Sequence, residues 1–282
     1  MTQFISITTL HYLENGFLNG DDGQGNVKTH KKDSKGNPYV SAQCFRKQIK
    51  EMIREQGKYS ISTIGKEAET SYREEDWDFQ MFGGMLAKSK KEKKAKGKSK
   101  EVEEIVEEVK EITDVITVPS FIHTSPLTTV GKSQSHFDFG VKFSPDQKNS
   151  IYNTEYITNT FFKQTSVIPL KDVNTLGSIP VKINKDYIIT YLDCLQDYTH
   201  NVGRRFTNDL RPVAVLATLS NSANPITANT VVLEGKDLQT KYFDSLNASE
   251  KVKGLMFTSI LNQNDSIVDI NEAFNIIRSW VK

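Results

Sequence analysis

The chain has 282 residues, of which 25% are charged and 37% hydrophobic, an ordinary balance for a globular protein that can bury a sizeable core. Its formal net charge of +1 argues against a protein that coats nucleic acid over its whole surface, and it leaves a local basic patch open. The longest apolar run near the end, 213–219, is too short to span a bilayer, and the first ten residues lack the segments of a signal peptide. We therefore expect a cytoplasmic protein that makes no membrane contact.

The first predicted elements are a strand and a helix. The strand covers 4–9, FISITT, because β-branched and apolar residues fill it. A turn-rich loop of glycine, asparagine, aspartate and lysine follows it. The helix covers 41–56, with Ser41 as N-cap and Gly57 as C-terminal cap. On a wheel of about 100° per residue, its buried face consists of Phe45, Ile49, Met52 and Ile53.

Charge is segregated in the middle of the chain. Residues 88–100, KSKKEKKAKGKSK, are almost wholly basic, and residues 101–111, EVEEIVEEVKE, are almost wholly acidic. The basic block has no apolar face to bury, so it is either a solvated loop or a basic loop that touches nucleic acid. The acidic block predicts a short amphipathic helix, because apolar residues recur at helical spacing. These residues are Val102, Ile105, Val106, Val109 and Ile112.

The second half of the chain predicts strands, a helix, a buried strand and a final helix. Strands and hairpins are expected over 115–143 and 153–170. A helix follows Asn184 and ends at Gly203, RPVAVLATLS forms a strand buried on both faces, and a last helix carries Ile270, Phe274, Ile277 and Val281. The predicted order along the chain is a strand, a helix, strands with long insertions, a helix and a strand. This is the order of an α+β, ferredoxin-like fold, which RNA-recognition domains share. A fold alone does not define a function.

The predicted helix over 41–56 also has a polar face. Lysine and arginine there supply positive charge for phosphates, glutamine can bind phosphate, sugar or base, and the helix N-terminus adds oriented N–H groups. The face can equally be a solvated surface carrying ion pairs four residues apart, such as Lys47 with Glu51. The polar face consists of Gln43, Arg46, Lys47, Lys50 and Arg54.

Two motifs resemble a known family. The loop NGDDGQGNVK and the segment YVSAQCFRKQIK resemble the backbone subunit of type I CRISPR effector complexes (Cascade), in the Cas-seven, CasC or DevR family of the RAMP superfamily. Its members carry a similar V-S-S-Q-x-x-K-R-x-I-R segment after an Asn/Asp/Gly/Lys loop. DWDFQMFGGMLA, 76–87, is similar to the family's D-x-x-L-F-G-x-M-x-A stretch, and 154–170 and 202–220 are similar to its later strands. The chain departs from the pattern at Ala42, where the family has a second serine, and in its Asn37-Pro38-Tyr39 lead-in.

This resemblance implies an architecture. We expect 1–282 to form a single elaborated domain with a modified ferredoxin-like, RRM-like palm. The palm would comprise about 3–10, 41–56, 150–170 and 184–220, with the Lys/Glu-rich insertion at 88–111. Long insertions would form fingers, and a β-hairpin thumb would lie within 117–142.

The resemblance also implies a function. The chain would be a binding subunit that polymerises with further copies of itself along a CRISPR guide RNA, joins other Cascade subunits and reaches target DNA through the guide. It would have no catalytic residue, metal or cofactor. The residues implied in holding the guide backbone are Lys28, Ser41, Gln43, Arg46, Lys47 and Lys50, with weaker support for Gly203, Arg204 and Arg205.

Other chemistries have less support in the sequence. VGKS at 130–133 lacks the Walker A pattern because Pro126 occupies the position of a required glycine. The five histidines and two cysteines show no metal or disulfide spacing, so we expect surface or hydrogen-bonding histidines and reduced, buried thiols. One enzymatic alternative stays open, in which Asp21 or Asp22 binds a metal and the protein cleaves guide-paired target RNA; paired loop acids are also common turn formers.

Overall fold

The elements are numbered in chain order over the residues that the structure describes. The computed structural model describes residues 2–20, 27–64, 70–71, 73, 75–89, 113–142, 150–171, 173–174, 181–202, 206–234, 237–255 and 268–281. The helices there are α1 (Ala42–Gln56), α2 (Trp77–Phe82), α3 (Lys185–Gln196) and α4 (Ile270–Val281). The strands there are β1 (Gln3–Gly16), β2 (Val27–Lys28), β3 (Tyr39–Val40), β4 (Thr63–Ile64), β5 (Thr70–Ser71), β6 (Gly84–Ser89), β7 (Thr113–Val118), β8 (His123–Thr124), β9 (Leu127–Val130), β10 (Gln134–Lys142), β11 (Ser150–Leu170), β12 (Val173–Asn174), β13 (Val181–Lys182), β14 (Thr199–Val202), β15 (Phe206–Asp209), β16 (Pro212–Ser220), β17 (Val231–Glu234), β18 (Asp237–Thr240), β19 (Glu250–Leu255) and β20 (Val268–Asp269).

A large mixed sheet forms the centre of the molecule. Its middle strands lie in the order β16–β1–β11–β9, and each pairs antiparallel with its neighbour. With α1 between β1 and β9 in the chain, and α3 between β11 and β16, this is the β-α-β-β-α-β arrangement of the ferredoxin-like fold. Strands β19 and β20 extend one edge, and β3 extends the other. The predicted α+β, ferredoxin-like palm with insertions is therefore confirmed.

The main core lies between the sheet and the helices. Strand β1 sends Ile5 and Ile7 into it, and every residue of β16 is buried, as expected for the predicted central strand. In α1 the predicted buried face is confirmed, with Met52 partly buried and the rest wholly so. The helical side chains of this core include Phe45, Ile49, Ile53, Ile188, Tyr191, Leu195, Phe274 and Ile277. At about 1.5–3 kcal/mol for each large apolar side chain removed from water, this layer is the main source of stability.

The opposite face of the sheet is also covered. The chain between β16 and β19 crosses it, and Thr227 Oγ1 hydrogen-bonds to Ser6 Oγ at 2.9 Å and to Thr8 Oγ1 at 2.8 Å. Lys163 Nζ donates to the carbonyl of Ala228 at 2.9 Å. A second apolar cluster, which includes Leu10 and Phe243, lies beneath this cover. Because RNA-recognition domains stack bases on this face, the palm does not present their usual binding surface.

One helix is shorter than the sequence predicts. The predicted helix runs from Asn184 to Gly203, but α3 ends at Gln196, and β14 follows and pairs with β15. From Tyr198 to His200 burial alternates with period two, and the Tyr198 hydroxyl bonds to His200 Nδ1 at 2.9 Å. An apolar residue every fourth position fits a strand as well as a helix, and tertiary packing decides for the strand. The predicted N-cap is confirmed, since the Asn184 side chain accepts from the Asp186 N–H.

A projecting hairpin extends the sheet beyond the end of β1. Strand β1 stops pairing with β11 at Ile157, whereas β10 continues along β11 as far as Ser150. We call residues 134–142 and 150–156 the ribbon. One of its faces carries exposed apolar side chains. They are Phe137, Phe139, Val141 and Ile151.

Several predictions concern residues outside the described ranges. These include most of the Lys/Glu-rich block and its amphipathic helix, Asp21 and Asp22, and Gly203 to Arg205. The predicted thumb, 117–142, overlaps the ribbon over 134–142, and its extent stays a prediction. The strand predicted after VGKS is confirmed as β10.

Candidate nucleic-acid interface

Helix α1 carries most of the predicted RNA-binding residues, and its ends are fixed by the two predicted caps. The Ser41 hydroxyl accepts a hydrogen bond from the Cys44 N–H at 3.3 Å. Gly57 adopts φ 64°, a left-handed conformation that suits glycine, and its N–H donates to the Arg54 carbonyl at 3.1 Å. Both caps are confirmed. Ser41 therefore has a structural role, because its oxygen satisfies a helix N–H that would otherwise lack a partner.

Two polar residues near the start of α1 face solvent. Gln43 and Lys47 are exposed, and neither forms a hydrogen bond or an ion pair with another residue of the described ranges. The alternative Lys47–Glu51 ion pair is not formed, since Glu51 pairs with Arg54 at 2.5 Å. The Lys31 carbonyl accepts from the Tyr39 N–H at 3.0 Å, two residues before Ser41, so Lys31 also lies near the start of the helix. Burial raises the pKa of the nearby Cys44 thiol, while the charges of Lys47 and Lys31 lower it. The start of α1 thus presents a glutamine and two lysines.

Arg46 is half-buried and engaged within the protein. Its Nε donates to Thr124 Oγ1 at 2.7 Å, and its guanidinium lies 5.3 Å from the centre of the Phe82 ring. Burial lowers its pKa. The side chain therefore joins α1 to β8 and to the end of α2.

Lys50 is likewise engaged. Its Nζ lies 2.7 Å from Asp78 Oδ2, and Asp78 is fully buried. The same carboxylate accepts from the Ser62 N–H at 2.9 Å and from the Ser62 hydroxyl. Lys50 thus anchors α1 to α2 by balancing a buried negative charge.

Lys28 lies at the foot of the ribbon. Strand β2 pairs parallel to β11, with Lys28 opposite Thr154, and its side chain is exposed. The following turn is closed by Asp33, whose Oδ1 accepts from the N–H groups of Lys35 and Asn37 at 2.8 and 2.9 Å. The exposed side chains of Lys28 and Lys35 thus lie on the segment that leads into α1.

The paired strands β14 and β15, which flank residues 203–205 in the chain, are attached to α1 by a residue that sequence reasoning missed. Gln48 Nε2 donates to the Asn201 carbonyl at 3.0 Å, and Gln48 Oε1 accepts from the Asn201 N–H at 3.1 Å. Residues 203–205 fall between β14 and β15, outside the described residues. The sequence does contain one sign of this role, because Gln48 falls on the buried arc of the helical wheel, where a side-chain amide needs internal hydrogen-bond partners.

Three buried histidines hold the loops around this surface. Burial lowers the pKa of His11, His30 and His200 to about 4 in each case, because an imidazolium there would lose its water. Their rings hydrogen-bond to the carbonyls of Leu210, Glu155 and Leu18 respectively. The predicted hydrogen-bonding role is confirmed for these three, and His123 and His136 are surface residues.

The remaining chemical predictions have simple outcomes. Cys44 and Cys194 are free thiols, the first half-buried and the second buried. Across the described ranges, no three His, Cys, Asp or Glu side chains are grouped as metal ligands would be. No helix of the same ranges has the length and apolarity needed to cross a membrane.

The fold and its polar helix face define an elaborated ferredoxin-like protein with a candidate polyanion surface at the start of α1. No protein-family model and no curated protein matches the chain. Among solved structures it is similar to a chain of a "CRISPR RNA-guided surveillance complex", with TM-score 0.57, 13% identity and coverage of 99% of this chain and 100% of that chain. It is also similar to a chain of a "CRISPR RNA-guided surveillance complex, pre-nicking", with TM-score 0.56, 12% identity and the same coverage. At these identities the likeness establishes the fold, over the full length of both neighbours.

Proposed function

We propose that the protein is the guide-RNA-binding backbone subunit of a Cascade-type surveillance complex. It would polymerise along the guide and present it for pairing with target DNA. The observation that carries this proposal is the accessible polar start of α1, where Gln43 and Lys47 face solvent and the half-exposed Lys31 lies on the adjoining loop. The full-length likeness to chains of RNA-guided surveillance complexes supports it.

The chemistry of this surface suits a phosphate backbone. Lys47, Lys31 and Lys28 supply charge, Gln43 supplies an amide, and such contacts set register without reading base edges. The bases of the guide then remain free to pair. We assign Ser41, Arg46 and Lys50 a positioning part, since each already has an internal partner that fixes α1.

The covered sheet face also favours the helix surface. Thr227 and its neighbours occupy the face on which RNA-recognition domains stack bases. Gly203, Arg204 and Arg205 stay predicted contacts, and in the chain they follow β14, which Gln48 attaches to α1. We further propose that the ribbon is the thumb that displaces guide nucleotides.

Self-assembly is consistent with the charge balance. A net charge of +1 limits repulsion between copies stacked head to tail. A head-to-tail contact that does not close produces an open helix, which is the form a linear guide requires.

The main test is assembly on RNA. Wild-type protein mixed with guide RNA is expected to form multi-subunit particles, observed by electron microscopy and size exclusion. Gln43→Ala combined with Lys47→Glu is expected to lower RNA affinity at least about tenfold and to reduce the salt slope by about one. Lys58→Ala, beyond the other end of α1, is the matched control. Absence of particles together with unchanged affinity in the double variant would contradict the proposal.

We propose binding without cleavage. Guide-complementary RNA is expected to stay intact with magnesium and the assembled protein. Cleavage by wild type that Asp22→Ala abolishes would favour the enzymatic alternative instead.

A further inference from the structure

A single buried carboxylate lies where the ribbon leaves the sheet. Glu155 on β11 is only 2% exposed. Its Oε1 accepts from Lys32 Nζ and from Ser135 Oγ, each at 2.8 Å, and its Oε2 accepts from the His30 N–H at 3.2 Å. Burial raises the pKa of this carboxyl, but the donors Lys32, Ser135 and His30 outweigh it and hold the pKa below its usual value. The group is therefore a carboxylate whose two oxygens are both engaged.

The donors to Glu155 come from two separate segments. Lys32 and His30 belong to the segment 27–35, which we call the basic loop, and Ser135 belongs to the outer strand of the ribbon. Glu155 itself belongs to the inner strand, and its own carbonyl accepts from the His30 ring at 3.1 Å. Beyond these bonds, the described pairing of the basic loop with the ribbon is the two-residue ladder of Val27 and Lys28. Glu155 is thus the main side-chain link between the loop and both ribbon strands.

The position of this link relates it to the proposed RNA surface. Lys28 lies opposite Thr154, one residue from Glu155, and the Lys31 carbonyl accepts from the Tyr39 N–H at 3.0 Å, two residues before the N-cap of α1. Because Glu155 pairs with Lys32, the lysines of the basic loop that remain for phosphates are Lys28, Lys31 and Lys35, of which Lys35 lies near Asp33. A phosphate held by the loop would therefore act on a segment that is fixed to the ribbon.

We infer that Glu155 is a positioning residue that couples the basic loop to the ribbon, so that binding of guide phosphate at the loop also orders the ribbon. This inference rests on the proposed RNA-binding function. Because Glu155 links the two segments, holding the loop on a phosphate also reduces the conformational freedom of the ribbon. If the segments are coupled in this way, guide binding must slow amide exchange in the basic loop and in the ribbon together.

The test is hydrogen exchange with and without guide RNA. In wild type, guide RNA is expected to slow amide exchange in both 27–32 and 134–142. In Glu155→Gln, which keeps the size of the side chain and removes its charge, the free protein is expected to exchange faster in both segments. Guide RNA should then protect the loop alone, and RNA affinity should fall about fivefold to tenfold. Asp138→Asn, an exposed change on the ribbon, is the matched control.

A milder variant covers the case in which Glu155→Gln does not fold. Ser135→Ala removes one donor and leaves the Lys32 ion pair, so it should loosen the ribbon more than the loop. The inference would be overturned if guide RNA slowed amide exchange in the ribbon equally in wild type and in the variants. If wild type binds no guide while both segments of the free variant exchange faster, the Glu155 link between loop and ribbon stands and the proposed RNA-binding function fails.

Discussion

Two lysines one turn apart on α1 have different roles, although the sequence placed them on one face. Lys47 faces solvent, whereas Lys50 balances the buried Asp78. A helical wheel gives the direction of a side chain but not what lies beyond it. Asp78 belongs to another helix, 28 positions along the chain, and no local pattern connects it to Lys50. The sequence therefore predicted the candidate face, and the structure separates accessible residues from internally paired ones.

This difference predicts different costs of truncation. Lys50→Ala should lower the free energy of unfolding by about 2–3 kcal/mol, because it leaves a buried carboxylate without its cation; the partial exposure of Lys50 reduces the full cost. Lys47→Ala should change it by less than about 0.5 kcal/mol. Urea denaturation measures both. Equal values for the two variants would contradict the assignment of Lys50 to a buried pair.

Two glycines with positive φ provide a second comparison at this scale. Gly57 has φ 64°, and a Cβ added there would meet no atom within 4 Å, whereas Gly83 has φ 70° and an added Cβ would collide with the Val118 carbonyl and with Pro119. Gly57→Ala should cost about 1 kcal/mol for backbone strain alone. Gly83→Ala should cost about 3 kcal/mol, because steric overlap adds to the strain. Thermal unfolding of the two variants would reveal the ranking, and a reversed order would refute it.

At the scale of elements, the sequence predicted helix α1 well because its signals are local. Caps and an apolar stripe lie within or beside the segment they define, so the caps located both ends and the wheel located the buried side. The end of α3 was missed because packing of Tyr198 and His200 against distant residues favoured a strand. The docking of β14 on α1 was missed for the same reason, since it depends on the buried Gln48 and the backbone of Asn201.

That docking predicts a local loss of stability. Gln48→Ala should cost about 2 kcal/mol, since it leaves the N–H and carbonyl of Asn201 without their partners. Amide exchange over 199–209 should accelerate more than exchange in the central sheet. Gln43→Ala, an exposed glutamine on the same helix, should leave both quantities unchanged. Uniform acceleration across the sheet would argue against a local role.

At the scale of the whole molecule, the sequence predicted the palm but not the layer that covers it. The order of strands and helices along the chain is enough to indicate a ferredoxin-like fold. The cover, described over 221–234 and 237–249, is held partly by hydroxyl pairs such as Ser6 with Thr227. Serine or threonine in a strand gives no sign of a distant partner. Which face of the palm is accessible could therefore be learned only from the structure.

The buried histidines predict how the whole fold responds to acid. His11, His30 and His200 have folded pKa values of about 4, below the unfolded value of 6.5, so the unfolded state binds more protons between these limits. The contribution of the three histidines to the free energy of unfolding is fully present above pH 6.5. It is lost as pH falls towards 4, by at most about 1.4 kcal/mol per pH unit for each histidine. Carboxylates with lowered pKa, such as Glu155, contribute a further loss as pH falls below their ordinary value of 4.5.

The measurement is the free energy of unfolding in urea between pH 7.5 and 4. We expect His200→Gln to reduce the slope below pH 6.5 and the exposed His123→Gln to leave it unchanged. A flat profile for wild type across this range would show that the histidines are not buried as neutral groups.

The pairing of β6 with β7 determines how the chain can vary in length. Ser89 lies opposite Thr113, so the stretch 90–112 leaves and re-enters the fold at adjacent points, about 5 Å apart for a cross-strand pair. Whatever is inserted there need not alter the path of the sheet, because loop closure costs little more as a loop grows. The length of this stretch can therefore change without a new fold. An engineered chain in which Asn-Gly joins Ser89 to Thr113 would keep the palm and offers a permissive site for attaching a label.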